Sequence, residues 1–248
     1  MQKLSRSKID LFHECQRCFW LEVKHGVKRP PGFPYTINSA IDWLLKQEFD
    51  EYRALGRAHP IMEAAGIGAV PYEHPKINEW RHNFTGIRFE HKPTDFLVFG
   101  AVDDIWVNPA GELIIVDYKS TGSVQHKIYD EYRRQLEVYQ WLFRQNGFTV
   151  SETGYFVFAR VSKAHGFSAH ADAGPAEGEA HERALLPFDI FVEPLTGNPS
   201  WVEGALADAH RVLDSDTPPA PGGDCEHCKY RRAANEHAAG KMSHPASS

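Results

Sequence analysis

Cysteine and methionine are scarce in this 248-residue sequence, at four and three copies. Nor is there an excess of basic residues: 27 Lys and Arg face 33 Asp and Glu, a formal charge of −6. That balance argues against a surface broadly wrapped in nucleic acid, although it averages over local patches. Lys24/Lys28/Arg29, Arg133/Arg134 and Lys229/Arg231/Arg232 read equally well as a basic rim or as solvated faces. Also missing is any apolar run near the ~20 residues of a membrane span. The opening Met1-Gln2-Lys3-Leu4-Ser5-Arg6 lacks the apolar stretch of a secretory signal. A soluble, cytoplasmic protein with no membrane partner is expected. With 42% hydrophobic residues, the chain can bury a core suited to one domain with insertions.

The few cysteines are concentrated in two Cys-x-x-Cys pairs, Cys15/Cys18 and Cys225/Cys228, at opposite ends of the chain. In a reducing compartment that spacing favours a bound metal or cluster over a disulfide. Four thiolates can close a tetrahedral site for zinc or hold a cubane.

Along the chain, Ile9, Phe12, Cys15, Cys18 and Phe19 recur at helical spacing after a cap at Ser5 or Ser7. Gly26 and the Pro30–Pro34 stretch end that helix. A second runs through Ile37, Ile41, Leu44, Leu45, Glu48, Tyr52 and Leu55 and stops near Gly56. Residues 57–95 read as irregular, with room for one short strand. Phe96–Val107 and Leu113–Lys119 are apolar on both faces, so they belong in the middle of a covered sheet. A helix from about Lys127 to Gln145, strands Thr153–Val161 and Leu185–Glu193, and a helix Pro199–Leu213 complete the pattern. Ser162–Arg183 reads as an elongated mobile loop, and residues 236–248 as a disordered tail.

The turn between the central strands decides which carboxylates meet. Asn108-Pro109-Ala110-Gly111 suits a type I turn, with Gly in the left-handed position of a three-residue hairpin loop. Such a loop pairs Asn108 with Glu112, and counting back sets Asp103 opposite Asp117. Lys119 then shares their face, while Asp104 points away. Two opposed carboxylates in an apolar sheet repel and are poorly solvated, and a hard divalent cation removes both problems. A lysine two residues on can orient water or stabilise charge at a phosphate. The chemistry implied is metal-assisted phosphodiester hydrolysis at Asp103, Asp117 and Lys119.

These residues also resemble a known family. Gly100-Ala101-Val102-Asp103, Asp117-Tyr118-Lys119-Ser120-Thr121-Gly122 and Gln135-Leu136-Glu137-Val138-Tyr139 are similar to motifs of the PD-(D/E)XK superfamily, in its RecB-like branch that includes CRISPR-associated exonucleases. The resemblance adds Gln135 and Tyr139 to the catalytic set; one helical turn apart, they would face the site together. It implies Mg²⁺ or Mn²⁺ at the carboxylates and DNA, single-stranded or at ends, as substrate. Where the family often carries a metal-binding His, this chain has Asp42, either a third ligand or a helix-surface residue. Relatives with a 4Fe-4S cluster usually bring one Cys from the N-terminus and three from the C-terminus, whereas this chain offers two and two. The resemblance leans toward 4Fe-4S and the paired spacing toward Zn²⁺. The histidines His165, His170, His181 and His237 fall in loop or tail segments and are not expected to be ligands.

The expected fold is α/β, a mixed central sheet flanked by helices. Residues 1–235 form one nuclease domain, in which 1–35 and 214–235 join as a cysteine-clasped lobe. The expected function is a Mg²⁺- or Mn²⁺-dependent DNA nuclease, an exonuclease on single strands or ends. The rivals are a CRISPR-adaptation nuclease that trims spacers and a catalytically silent nucleic-acid-binding module.

Overall fold

The computed structural model describes residues 1–32, 36–123, 127–164 and 186–239. The chain divides into two compact units. One comprises residues 1–33, 90–99 and 200–248; the other comprises 34–89 and 100–199. The cysteine-bearing unit is therefore larger than the terminal segments alone, since it also takes in 90–99 and the helix after residue 200.

In the terminal unit, β1 (Gln2–Ser5) leads into α1 (Arg6–Glu14) and α2 (Gln16–His25). One helix is expected here and two are found. Cys15 adopts an extended backbone (φ −160°, ψ 104°), so it ends α1 and caps α2. Gly26, left-handed at φ 70°, stops α2. β1 runs parallel to β4 (Phe96–Gly100). It belongs to a three-stranded sheet of order β1-β4-β3, where β3 is Ile87–His91. Two helices complete the unit, α7 (Trp201–Asp214) and α8 (Glu226–Ala238). The latter continues past Asn235, where the sequence pattern had suggested a polar tail, and residues 240–248 lie outside the described residues.

The central unit is built on a five-stranded mixed sheet of order β2-β5-β6-β7-β8. Its strands are β2 (Val70–Pro71), β5 (Asp104–Val107), β6 (Leu113–Thr121), β7 (Thr153–Val161) and β8 (Phe188–Thr196). β6 and β7 are parallel, joined through α6 (Asp130–Gln145), while the other neighbours are antiparallel. The single strand expected over Phe96–Val107 is two, because the backbone leaves the sheet at 101–103 and the Val102 amide bonds the Trp80 carbonyl instead. Residues 57–95, expected to be irregular, carry α4 (Pro60–Ala64), α5 (Ile77–Trp80), β2 and β3. These elements are too short to show a period. Most of the loop expected over Ser162–Arg183 lies outside the described residues.

The helix α3 (Thr36–Leu55) covers one face of the sheet. Its Ile41, Leu45 and Phe49 pack with Trp106, Ile114, Val116, Tyr118, Val157 and Ala159. Alternation along β6 sends Ile115, Asp117 and Lys119 to the opposite face, toward α6. There Gly154 of β7 admits the helix: a Cβ on it would lie 2.6 Å from the Leu136 side chain and 2.7 Å from the Ile115 carbonyl. None of the described helices is long and apolar enough to cross a membrane.

Candidate active site and cysteine cluster

The β5–β6 hairpin has the register that its turn residues require. Gly111 sits at φ 79°, its amide bonds the Asn108 carbonyl, and the Asn108 amide bonds the Glu112 carbonyl. Asp104, the first residue of β5, pairs with Val116; Asp103 lies just outside the strand at the open end of the hairpin, close enough to Asp117 for its charge to act on it. One Asp103 oxygen accepts the Tyr118 amide at 2.9 Å. The two adjacent aspartates therefore have different surroundings.

Asp104 is fully buried on the α3 face. Its Oδ1 accepts from Arg53 at 2.5 Å, Arg81 at 2.7 Å and the Ile105 amide at 2.7 Å, and its Oδ2 from the Tyr118 hydroxyl at 2.8 Å. Asp50 bridges the two arginines from α3. Burial alone would raise the Asp104 pKa, but Arg81, Arg53 and Tyr118 outweigh it and lower it. This network locks α3 and the α5 region to the sheet.

Asp117 is equally buried, but only a lysine and an amide face its oxygens. Its Oδ1 accepts from the Gln135 amide at 2.6 Å, while its Oδ2 lies against the Lys119 ammonium and takes no regular hydrogen bond from the described residues. Its pKa is raised to about 7, because burial and the nearby Asp103 charge outweigh the lowering effect of Lys119. Lys119 is held charged: burial acts to lower its pKa, but Asp117 and Asp103 raise it. The Gln135 carbonyl accepts from Lys119 at 3.4 Å, and the ammonium lies 4.7 Å above the Tyr132 ring. Gln135 thus clamps Asp117 and Lys119 from α6.

A cleft of about 230 Å³ opens at this end of the hairpin, lined by Asn38, Asp42, Tyr118, Lys119, Ser120 and Tyr132, among others. Asp42 therefore comes to the site. Lys46 links it to Asp103, at 2.7 Å from Asp42 and 3.4 Å from Asp103. Burial, and then the Asp103 charge, raise the Asp42 pKa. Tyr139, buried on α6, does not line this cleft. The structure thus brings together Asp42, Asp103, Asp117, Lys119 and Gln135, and leaves Tyr139 to the core. Sequence reasoning missed Lys46, Tyr132, Arg53 and Arg81. Lys46 had a signal, being four residues after Asp42 on α3; Arg81 had none. His165, His170 and His181 lie outside the described residues, and His237 is on α8.

The residues suit a divalent metal. Asp103 and Asp117 offer oxygen donors of the kind that Mg²⁺ or Mn²⁺ takes, and Asp42 lies near Asp103. A buried acid whose pKa stays raised even beside Lys119, with a second carboxylate close by, is a site where a divalent cation would lower the free energy.

The four cysteines meet in the terminal unit. Cys15 and Cys18 come from the start of α2, Cys225 and Cys228 from the start of α8, and all four sulfurs lie within 4.8 Å of one another. Cys15–Cys228 and Cys18–Cys228 are 3.7 Å apart and Cys18–Cys225 3.6 Å, so the thiols are close but free. Arg29, one of the candidate rim residues, instead points its guanidinium at Cys225 (3.3 Å) and pairs with Glu14. The Pro-rich segment before Cys225 is fixed along α2, where Arg17 bonds the Pro219 carbonyl and Trp20 and Lys24 bond that of Ser215. Four clustered cysteines can bind a metal.

The model of the PD-(D/E)XK nuclease superfamily matches residues 3–233, and the chain belongs to that superfamily. Among solved structures, SSO0001 is 15% identical with a TM-score of 0.41, over 98% of this chain and 88% of that one. LHK-Exo in complex with dAMP is 10% identical with a TM-score of 0.41, over 97% and 95%. No curated protein matches.

Proposed function

We propose that the chain is a Mg²⁺- or Mn²⁺-dependent deoxyribonuclease whose catalytic residues are Asp103, Asp117 and Lys119. The observation that carries this reading is the pair of neighbouring carboxylates, Asp103 and Asp117, at the open end of the β5–β6 hairpin, with Lys119 beside them at a cleft. Superfamily membership supports phosphodiester hydrolysis. Asp103 and Asp117, with Asp42 as a third oxygen donor, would hold the cation, and Lys46 would turn from Asp103 to Asp42 alone. A divalent ion there supplies a water of lowered pKa and neutralises charge that develops on the phosphate. Lys119, kept protonated by its carboxylate neighbours, binds a phosphate oxygen or the attacking water. Gln135 fixes the Asp117 and Lys119 side chains so that neither has to reorganise.

Preference for single strands or DNA ends rests on the resemblance to RecB-like nucleases. The four cysteines are read as a metal centre that joins the two ends of the chain. The test is cleavage of linear single-stranded, linear duplex and closed circular DNA with and without Mn²⁺. Metal-dependent loss of linear strands, abolished in Asp117→Ala, is expected. Binding of DNA without cleavage at any metal concentration would overturn the enzymatic reading in favour of a silent binding module.

A further inference from the structure

We infer that the four cysteines hold a single zinc ion, and that they do not fit the iron–sulfur cluster that the resemblance would bring. The inference rests on the reading of these thiols as a metal centre. Its basis is distance. Metal–sulfur bonds of about 2.3 Å at tetrahedral angles place the sulfurs about 3.8 Å apart. The sulfur separations of 3.6, 3.7 and 3.7 Å are close to that edge, and no pair exceeds 4.8 Å. A cubane ligates each thiolate through a different iron, so its sulfurs are spread by an iron–iron edge and two diverging bonds, with inorganic sulfide between them. Sulfurs near van der Waals contact leave no space for that body.

The surroundings hold the thiols at this spacing. The two pairs repeat one local geometry: Cys15 caps α2 and Cys225 caps α8, with the second cysteine of each in the first turn. In each, the amide four residues after the capping cysteine bonds its carbonyl at 3.0 Å, Phe19 to Cys15 and Lys229 to Cys225. Two such chelating arms make a closed tetrahedron. The Gly222 amide donates to the Cys15 sulfur at 3.2 Å. A Cβ at Gly222 would lie 2.7 Å from the Glu14 carbonyl and 3.3 Å from the Cys15 Cβ, so Cys15 has no room to retreat on that side. A tetrathiolate zinc centre carries an excess of negative charge, which the Arg29 guanidinium and the N-termini of α2 and α8 offset.

Zinc suits the site better than other divalent metals. It binds thiolate more tightly than ferrous iron and accepts a tetrahedron without ligand-field cost. With four protein ligands no position is left open for substrate, so the centre is structural. Its binding energy is folding energy for the terminal unit. α8 needs it, because none of that helix's own residues is fully buried.

The full-length chain, purified without oxygen from cells supplied with iron and sulfur and passed over a weak chelator, tests this directly. One zinc per chain is expected, with no iron, no acid-labile sulfide and no visible absorption. X-ray absorption at the zinc edge should show four sulfur neighbours at about 2.3 Å. Iron with labile sulfide would overturn the inference, and so would a single iron without sulfide or zinc bound by oxygen. A chain free of metal at the cysteines, whose thermal unfolding does not move when zinc is added, would instead refute the underlying reading that these thiols bind metal. Because Cys228→Ser can fail to fold, exchange of the native chain into Co²⁺ gives a second readout. Intense tetrahedral thiolate bands are expected, and the weak bands of an octahedral ion would count against the site.

Discussion

Replacing Asp103 and Asp104 by Asn, one at a time, should separate catalysis from stability. Asp104 is 0% exposed and is the anion on which two nearly buried guanidiniums converge. Asp104→Asn keeps the shape but leaves Arg53 and Arg81 with Asp50 as their remaining counter-charge. Breaking a buried pair in this way costs about 3–5 kcal/mol, because the surviving charge stays desolvated. Against a typical total stability of roughly 5–15 kcal/mol, that loss shifts the urea midpoint strongly. Asp103 is 24% exposed, with Lys46 and the Tyr118 amide as partners, and its charge raises the Asp117 pKa. Asp103→Asn removes a repulsion along with a half-buried, long ion pair to Lys46, and the two offset, so its net effect on stability should stay within about 1 kcal/mol. It should nevertheless abolish Mn²⁺-dependent cleavage. The assay pairs urea unfolding with cleavage under saturating Mn²⁺ at a temperature where both variants are folded. If Asp103→Asn unfolds early while Asp104→Asn remains stable and inactive, the roles assigned from the hairpin register are reversed.

Asp117→Ala should eliminate cleavage at every Mn²⁺ concentration while keeping the fold, as checked by circular dichroism. Lys119→Ala should bind Mn²⁺ with near-native affinity, measured by calorimetry, but lose two or more orders of magnitude in turnover, roughly the scale of one electrostatic donor. The raised Asp117 pKa gives a pH signature. Between the ordinary 3.8 and about 7 the folded state binds more protons than the unfolded one, so metal-free stability falls as pH rises through that window. Asp117→Asn should lack this slope, and saturating Mg²⁺ should remove it from the wild type; unfolding curves that keep the slope in either case would contradict the assignment. Asp104, with its lowered pKa, contributes in the opposite sense: its stabilisation is present above the ordinary carboxylate range and is lost as pH falls through the depressed value.

The hairpin was legible in the sequence because its turn chemistry is local. Asn108, Pro109 and Gly111 dictate one loop, and that loop gives the register observed from Asp104–Val116 to Val107–Leu113. α3 and α6 were legible because each has a long apolar stripe. The helix break at Cys15 was not, since Ile9, Phe12 and Phe19 keep helical spacing across it while the extended backbone is required by what Cys15 faces. The division of Phe96–Val107 between two sheets was hidden for the same reason: both halves are apolar, and the cause of the break is a distant carbonyl at Trp80. Arg81 was invisible as a partner of Asp104, because a contact across 23 residues leaves no periodic trace.

The two aspartates also show why a charged pair placed in a sheet need not be catalytic. Side by side in sequence, Asp103 and Asp104 meet opposite treatments: Asp104 opens β5 and is buried among arginines, while Asp103 lies just outside the strand beside Lys46 and the Tyr118 amide. The α3 face supplies cations that are fixed by Asp50 and fully engaged, so Asp104 has no unmet charge to offer a ligand. Around Asp103 and Asp117 the available cations are two lysines, Lys46 from α3 and Lys119 from β6, which are flexible point charges. Lys46 divides itself between Asp42 and Asp103, and Lys119 is shared with Gln135. Carboxylates held this way remain exchangeable: an incoming divalent ion can displace the ammonium groups without breaking a bidentate arginine lock. Arginine on Asp104 and lysine on the carboxylates proposed to act is the distribution that would let this hairpin be rigid and still open to a metal.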